Sequence, residues 1–262
     1  MSIMVFDATT ARVFAMPPYF FFYTVGVVFA SAVFILLLLK YDFSIPQYTK
    51  IFFISAVGLL VGARLFGIFT GLYRALANQE TITADTFLNT GIVFYGGLIG
   101  FILSFMLICR VWNKKIDCGV LDLLAVCIPL FHFWGRLGCF FSGCCYGIES
   151  YSIFAVLYTS HAGGEVTTVS RIPVQIIEAV LNAMIFILLI RFLFKQMFKG
   201  RLLISYLFVY ASMRIILELF RGDLARGVWN GVSFSQVVSV FVLISCLLVV
   251  VRKSKETKYG IR

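Results

Sequence analysis

Charged side chains are scarce in this 262-residue chain: Asp, Glu, Lys and Arg make up 13% of it, about half of what a soluble domain carries. Apolar residues make up 61%, and the mean hydropathy is +0.99. Too little polar surface remains to coat a fold in water. That shortage excludes a soluble globular enzyme and a disordered chain. Acidic residues are the scarcer sign, 12 against 22 Lys and Arg. In so apolar a chain the resulting +10 points to the cytoplasmic loops of a membrane protein, not to a nucleic-acid-binding domain. Linkers rich in Pro or Ser, internal repeats and low-complexity tracts are also missing, so a single membrane domain over 1–262 is expected. No small-residue cleavage site follows the first apolar run, which therefore does not read as a cleavable signal.

What is present is a series of long apolar runs. A helix crossing hydrocarbon needs ~20 such residues. Seven stretches qualify, at 17–39, 51–73, 91–112, 118–141, 174–197, 202–220 and 232–251. They predict an all-α polytopic membrane protein with seven transmembrane helices. Of the Lys and Arg residues, 14 fall in one alternating set of loops, among them Lys114, Lys115 and Arg262. The opposite set holds 5 (Arg12, Arg74, Arg171, Arg221 and Arg226), and Arg64, Arg136 and Arg214 lie within spans. Positive residues mark the cytoplasmic side, so the amino terminus is expected outside and the carboxyl terminus inside. The longest connection, 142–173, then lies outside, either as a folded loop beside an active site or as a passive connector. Short strands are expected near 154–159 and 166–169, flanking the Gly163–Gly164 pair.

Polar residues inside the spans carry the functional signal. An Arg at a helix centre costs about 2.5–3.5 kcal/mol on insertion scales. Arg74 and Arg110 sit near span ends and can snorkel; Arg64, Arg136 and Arg214 lie deeper. Under the predicted topology these three, with Tyr19, Tyr95, Glu178 and Glu218, fall between the membrane middle and its outer face. His132, Arg136 and Cys139 share one helix face by their i, i+4, i+7 spacing, as do Arg214, Glu218 and Arg221. Glu218 can neutralise Arg214, and Glu178 is a candidate partner for Arg64. The positive remainder calls for an anion, and a phospholipid phosphate suits the planar arginine fork. Gly100, Gly135 and Gly138 suggest close helix packing. Gly96 and Gly97, with Gly91 before them, either pack or offer backbone N–H groups to a phosphate.

Seven cysteines do not make a disulfide scaffold in so apolar a chain. Cys109, Cys118, Cys127 and Cys246 sit in or beside spans and read as small packing residues. Cys139, Cys144 and Cys145 stand apart as a cluster at the end of the fourth span.

Taken in order, these motifs resemble the bacterial prolipoprotein diacylglyceryl transferases, whose signature reads G-R-x-G-N-F-x-N-x-E-x-x-G. Gly135, Arg136, Gly138, Phe140 and Gly147 match it. Tyr19 with Tyr23-Thr24-Val25-Gly26 is similar to the family's first-span motif, and Gly62-Ala63-Arg64-Leu65 to its G-x-R-L. Phe94-Tyr95-Gly96-Gly97-Leu98-Ile99-Gly100 resembles F-H-G-G-L-I-G. Pro173, Gln175 and Glu178 resemble P-x-Q-L-Y-E, and Arg214, Glu218 and Arg221 resemble R-F-x-x-E-x-x-R. The resemblance implies seven helices in a bacterial plasma (inner) membrane and transfer of diacylglycerol from phosphatidylglycerol to the lipobox cysteine of a lipoprotein precursor. It implies no metal, no organic cofactor and no nucleic-acid partner, only membrane lipid and the protein acceptor.

Carried onto this chain, the resemblance implies Arg136, Arg214 and Glu218 as catalytic, and His132, one turn before Arg136, is set beside them as a catalytic candidate from its own position. The resemblance implies Tyr19, Arg64, Tyr95, Gly96, Gly97, Gln175, Glu178 and Arg221 as substrate-binding beside the two arginines. The departures are as informative. The signature asparagines are Cys139 and Ser142 here, its glutamate is Cys144, and the histidine before G-G is Tyr95. His132 is a candidate replacement base or a hydrogen-bonded structural histidine. Cys144 and Cys145 suit loop anchoring, by packing or by a disulfide to Cys139, since the acceptor brings its own thiol. Alternative readings keep the fold and donor with another acceptor, or make the chain a lipid or anion transporter, or a thiol oxidoreductase. Membrane-impermeant thiol labelling of Ser160→Cys and Ser254→Cys in intact cells tests the orientation. The loop site should react and the tail site should not; the reverse pattern inverts the topology.

Overall fold

Backbone polar groups in hydrocarbon must be satisfied within their own segment, so long apolar runs become helices. The computed structural model describes residues 5–7, 16–77, 79, 81–84, 87, 93–112, 117–162, 165–222 and 228–259. Gly91, Gly163, Gly164, Arg12, Lys114, Lys115, Arg226 and Arg262 lie outside the described residues. Seven long helices occur among the described residues: α1 (Pro18–Lys40), α2 (Ile45–Ala77), α3 (Phe94–Val111), α4 (Cys118–Phe141), α5 (Val174–Phe194), α6 (Leu202–Glu218) and α7 (Phe234–Tyr259). All but α6 are long and apolar enough to span a membrane, and the chain is an integral, all-α membrane protein. The predicted sixth span, 202–220, yields a 17-residue helix. It ends early because Leu219 and Phe220 leave it as a turn, where the Phe220 carbonyl accepts the Ile148 N–H at 2.9 Å. The second span runs longer than expected, 33 residues from Ile45 to Ala77.

The chain divides into two compact units. The first comprises residues 1–37, 121–206 and 219–223. In it α1 packs on α4 through rings and small residues. Phe22 stacks on Phe141 with centroids 4.9 Å apart, and a Cβ at Gly26 or Gly138 would press on Trp134 or Phe22 at 3.0 or 3.2 Å. Gly138 thus has the packing role its sequence suggests. A Cβ at Gly135 would meet nothing within 4 Å, so close packing does not account for that glycine. The buried Asp122 carboxylate accepts the backbone N–H groups of Gly200 and Leu202, the latter at 2.9 Å, and so ties α4 to the start of α6.

The 142–173 connection in this unit is folded. Strands β2 (Val156–Ala162) and β3 (Glu165–Arg171) pair antiparallel, with Val156 opposite Arg171 and Tyr158 opposite Val169. β1 (Val5–Asp7) pairs parallel to β2. Both predicted strands exist and are longer than expected. The base of the loop is closed by Gly147, whose N–H reaches the Ile172 carbonyl at 2.8 Å, and by a bridge between Gly147 and Arg221.

The second unit comprises residues 38–120, 207–218 and 224–262. Its tightest seam joins α2 to α3 through facing small residues four apart, Gly58 and Gly62 against Gly96 and Gly100. A methyl group at Gly62 would strike the Gly96 carbonyl, and one at Gly100 the Gly58 carbonyl. Lipid gives no hydrophobic drive between helices, so such backbone approach is what holds them together. A short hairpin, β4 (Val228–Trp229) with β5 (Val232–Ser233), precedes α7.

These contacts predict opposite outcomes for glycines of similar appearance. Gly100→Leu should abolish a cooperative thermal transition of the detergent-solubilised protein. Gly135→Ala should keep it or raise stability by up to ~1 kcal/mol, the helix preference for Ala over Gly.

Candidate functional site

The first cluster lies in the first unit. One helical turn separates His132 from Arg136 on α4, so both side chains leave the same face. Arg136 Nε donates to His132 Nε2 at 3.1 Å, and Arg136 Nη2 pairs with Glu178 Oε1 of α5 at 3.0 Å. The same carboxylate oxygen lies 3.5 Å from His132 Nε2. All three are buried, at 7%, 3% and 1% exposure for Arg136, His132 and Glu178. His132 is a hydrogen-bonded histidine in this structure, with Arg136 as its donor. Glu178, one turn into α5, meets Arg136 of α4 within this unit. Asn182, one turn further on, donates to the Glu178 backbone carbonyl at 2.8 Å.

The end of α4 brings the three cysteines together. Gly143 adopts φ +63°, its N–H bonds to the Phe140 carbonyl at 3.0 Å, and the Cys144 N–H to the Cys139 carbonyl at 3.1 Å. This is the Schellman helix stop, which folds the residue after the left-handed glycine back over the residue five before it. Here those two are Cys144 and Cys139. Cys145 follows at φ +60°, a conformation costly for a residue with a Cβ, and the three Sγ atoms lie within 4.8 Å of one another. All three thiols are free, so the disulfide considered from sequence is not formed.

The turn is pinned from α5 and the sheet. Gln175 Nε2 donates to the Cys144 carbonyl at 2.6 Å, while Tyr158 of β2 donates to Gln175 Oε1 at 3.2 Å. Gln175, expected to bind substrate, thus has both ends of its amide engaged in holding the loop. Arg221 is buried and bridged to Gly147, two residues beyond Cys145. The Cys145 thiol is held well below the ordinary thiol range. Hydrogen bonds from the Cys139 and Cys144 thiols are the chief cause; the Arg221 and Arg136 guanidiniums add to it, against the cost of burial. Tyr19 stacks on Tyr23 on α1 at a centroid distance of 6.3 Å.

The second cluster lies in the second unit. Arg214 Nη2 pairs with Glu218 Oε2 at 2.8 Å, the i, i+4 partner that the sequence suggests. Ser235 Oγ donates to the same oxygen at 2.8 Å. Tyr95 is buried, and its hydroxyl shares a 2.6 Å hydrogen bond with Ser239. Arg64 donates to the Phe87 carbonyl at 3.1 Å. Gly96 and Gly97 face α2, and the Gly97 N–H is already bonded to the Val93 carbonyl at 3.2 Å. Helix packing, not presentation of the Gly97 N–H, is what this glycine pair does here. Sequence reading passes over Tyr158, Asn182, Ser235 and Ser239. The two serines were legible as hydroxyls one turn apart at the start of an apolar helix.

A family model described as prolipoprotein diacylglyceryl transferase matches residues 8–252. The chain is 30% identical over 191 residues to the phosphatidylglycerol–prolipoprotein diacylglyceryl transferase of Clostridium tetani, covering 73% of this chain and 74% of that one. Transferase 2 of Clostridium perfringens is 28% identical over 195 residues, 74% of each chain. The Campylobacter hominis transferase is 34% identical over 158 residues, 59% of this chain and 53% of its own.

Breaking a buried ion pair leaves a charge without compensation and costs about 3–5 kcal/mol, whereas removing both partners costs far less. Glu178→Leu should therefore destabilise the protein by about that amount in detergent unfolding assays. The double variant Arg136→Met, Glu178→Leu should recover most of the loss.

Proposed function

Because the chain belongs to the prolipoprotein diacylglyceryl transferase family, we propose that it moves diacylglycerol from phosphatidylglycerol to a cysteine thiol of lipoprotein precursors. The acceptor is the lipobox cysteine, and the reaction proceeds at the outer face of the membrane, with the amino terminus outside. The thiolate sulfur attacks the glycerol carbon that carries the phosphate. The carbon–oxygen bond breaks, and glycerol phosphate leaves with one more negative charge than the phosphodiester held.

That charge is what the protein has to stabilise. The observation that carries this reading is the buried Arg136, held on two sides by His132 and Glu178 within apolar helices. A guanidinium fixed there needs no reorganisation as charge develops on the leaving phosphate, and preorganisation of this kind is commonly the largest catalytic term. In this reading His132 positions Arg136 and is not the base. Arg214 is the second phosphate-binding cation. Its support is the family motif it shares with Glu218 and Arg221, together with the clamp of Glu218 and Ser235 within its own unit. Arg64, Tyr19 and Arg221 are carried over as substrate-binding on the same motif basis.

A second reading keeps the donor and changes the acceptor. It is favoured by Cys139, Ser142 and Cys144, which stand at signature positions where the family pattern has amides and a carboxylate. A lipobox peptide incubated with labelled phosphatidylglycerol and the purified protein separates the two, since a diacylglyceryl thioether appears by mass spectrometry only under the first.

The clamp itself is tested by Arg136→Lys and Arg214→Lys at matched membrane insertion. Lysine offers a point charge on a flexible stem in place of a two-toothed fork. Each variant should lose on the order of 10²–10³ in transfer rate, and near-normal transfer by both would remove the arginines from the mechanism.

A further inference from the structure

The proposed transfer needs a thiolate, yet a free thiol with a pKa of about 8.5 is mostly protonated at neutral pH. The side chains best placed to take its proton are otherwise occupied. The Tyr95 hydroxyl is bonded to Ser239, and His132 Nε2 receives Arg136. What the first unit holds instead is three thiols at one point. The Schellman stop folds Cys144 over Cys139, the left-handed Cys145 closes the triangle, and the three sulfurs lie within 4.8 Å of one another. Gln175 and Tyr158 hold the Cys144 carbonyl, so the turn that builds the triangle is braced independently of the thiols.

We propose that Cys139, Cys144 and Cys145 bind one zinc ion, and that the fourth position of this ion takes the acceptor cysteine thiol. The step rests on the transfer reading above and goes beyond it by naming the device that activates the acceptor. Thiolates are preferred ligands of zinc, at a Zn–S distance of about 2.3 Å. A tetrahedral ion then wants its sulfurs roughly 3.8 Å apart, within about 1 Å of the spacing found. Among the described residues no fourth His, Cys, Asp or Glu joins the group. Three protein ligands with an open position is the pattern of a catalytic zinc, and four protein ligands that of a structural one. Cys139 is buried, Cys145 is half-buried and Cys144 is exposed, so the triangle can be approached from the Cys144 side.

The chemistry balances without an oxidant. The acceptor thiol loses its proton to water on binding zinc, because a coordinated thiol is deprotonated outright. The zinc-held sulfur attacks the glycerol carbon, a sulfur–carbon bond forms as the carbon–oxygen bond breaks, and the phosphate monoester carries away the electron pair. The thioether product is neutral and a poor ligand, so it leaves the metal and the position reopens. Arg136 lies one turn before Cys139 on α4, which puts the cation that receives the leaving phosphate beside the sulfur that attacks. Four thiolates on a divalent ion carry a surplus of negative charge, and Arg221, bridged to Gly147 at the base of the same loop, is a further cation there.

The test uses the full-length protein in detergent, stripped with a chelator and reloaded with zinc or cobalt. Elemental analysis should find about one metal ion per chain. Cys144→Ser and Cys145→Ser should each weaken zinc binding at least tenfold while keeping the thermal transition, and Cys118→Ser, at the far end of α4, should bind as the unaltered chain does. The cobalt protein should show sulfur-to-metal charge-transfer absorption that intensifies with a lipobox peptide and not with its Cys→Ser analogue. No bound metal, or full binding by both serine variants, overturns the proposal. A metal whose spectrum ignores the cysteine peptide also overturns it, leaving a closed structural site. If the peptide coordinates but labelled phosphatidylglycerol transfers nothing, the zinc site stands and the donor assignment fails.

Discussion

A charged side chain in an apolar interior persists only with a compensating charge beside it, and the Arg136–Glu178 pair meets that requirement between two helices. Both residues are almost without solvent exposure and 3.0 Å apart, and His132 accepts from the guanidinium Nε. The pair fixes α4 against α5. Fixing α4 fixes where its last turn ends, and that turn positions the Cys139–Cys144–Cys145 loop. Arg214 and Glu218 solve the same problem within a single helix, by i, i+4 spacing and with Ser235 as a third member.

In the proposed transfer the phosphate gains charge as it leaves. A protein embedded in lipid has few ways to stabilise such charge, because cations placed there are expensive unless already neutralised. Arginines held by carboxylates resolve the conflict. Arg136 and Arg214 each meet a carboxylate, at 3.0 and 2.8 Å, so both guanidiniums are compensated where they sit.

Small residues serve a different purpose in each unit. On α2 and α3, Gly58, Gly62, Gly96 and Gly100 exist for backbone contact, which rigidifies the helix pair carrying Tyr95 and Arg64. At the end of α4, Gly143 exists for its left-handed φ, without which Cys144 would continue along the helix away from Cys139. Gly135 belongs to neither class, since nothing lies against it.

The sequence by itself determined the class of the protein. Long apolar runs leave a backbone no option but helix in hydrocarbon, and local spacing gave the Arg214–Glu218 pair and the His132–Arg136 face, because i, i+4 neighbours are fixed by helix geometry alone. The motif arginines and the family could likewise be read from residue order. Tertiary structure decided whatever depends on which helices touch. It brought Glu178 to Arg136, turned Gln175 and Tyr95 toward Cys144 and Ser239, and shortened α6 by drawing Phe220 into the loop. It also made a triangle of three cysteines. Sequence shows only that these are near neighbours along the chain; where their thiols point was set by the turn after α4 and by the side chains that pin it.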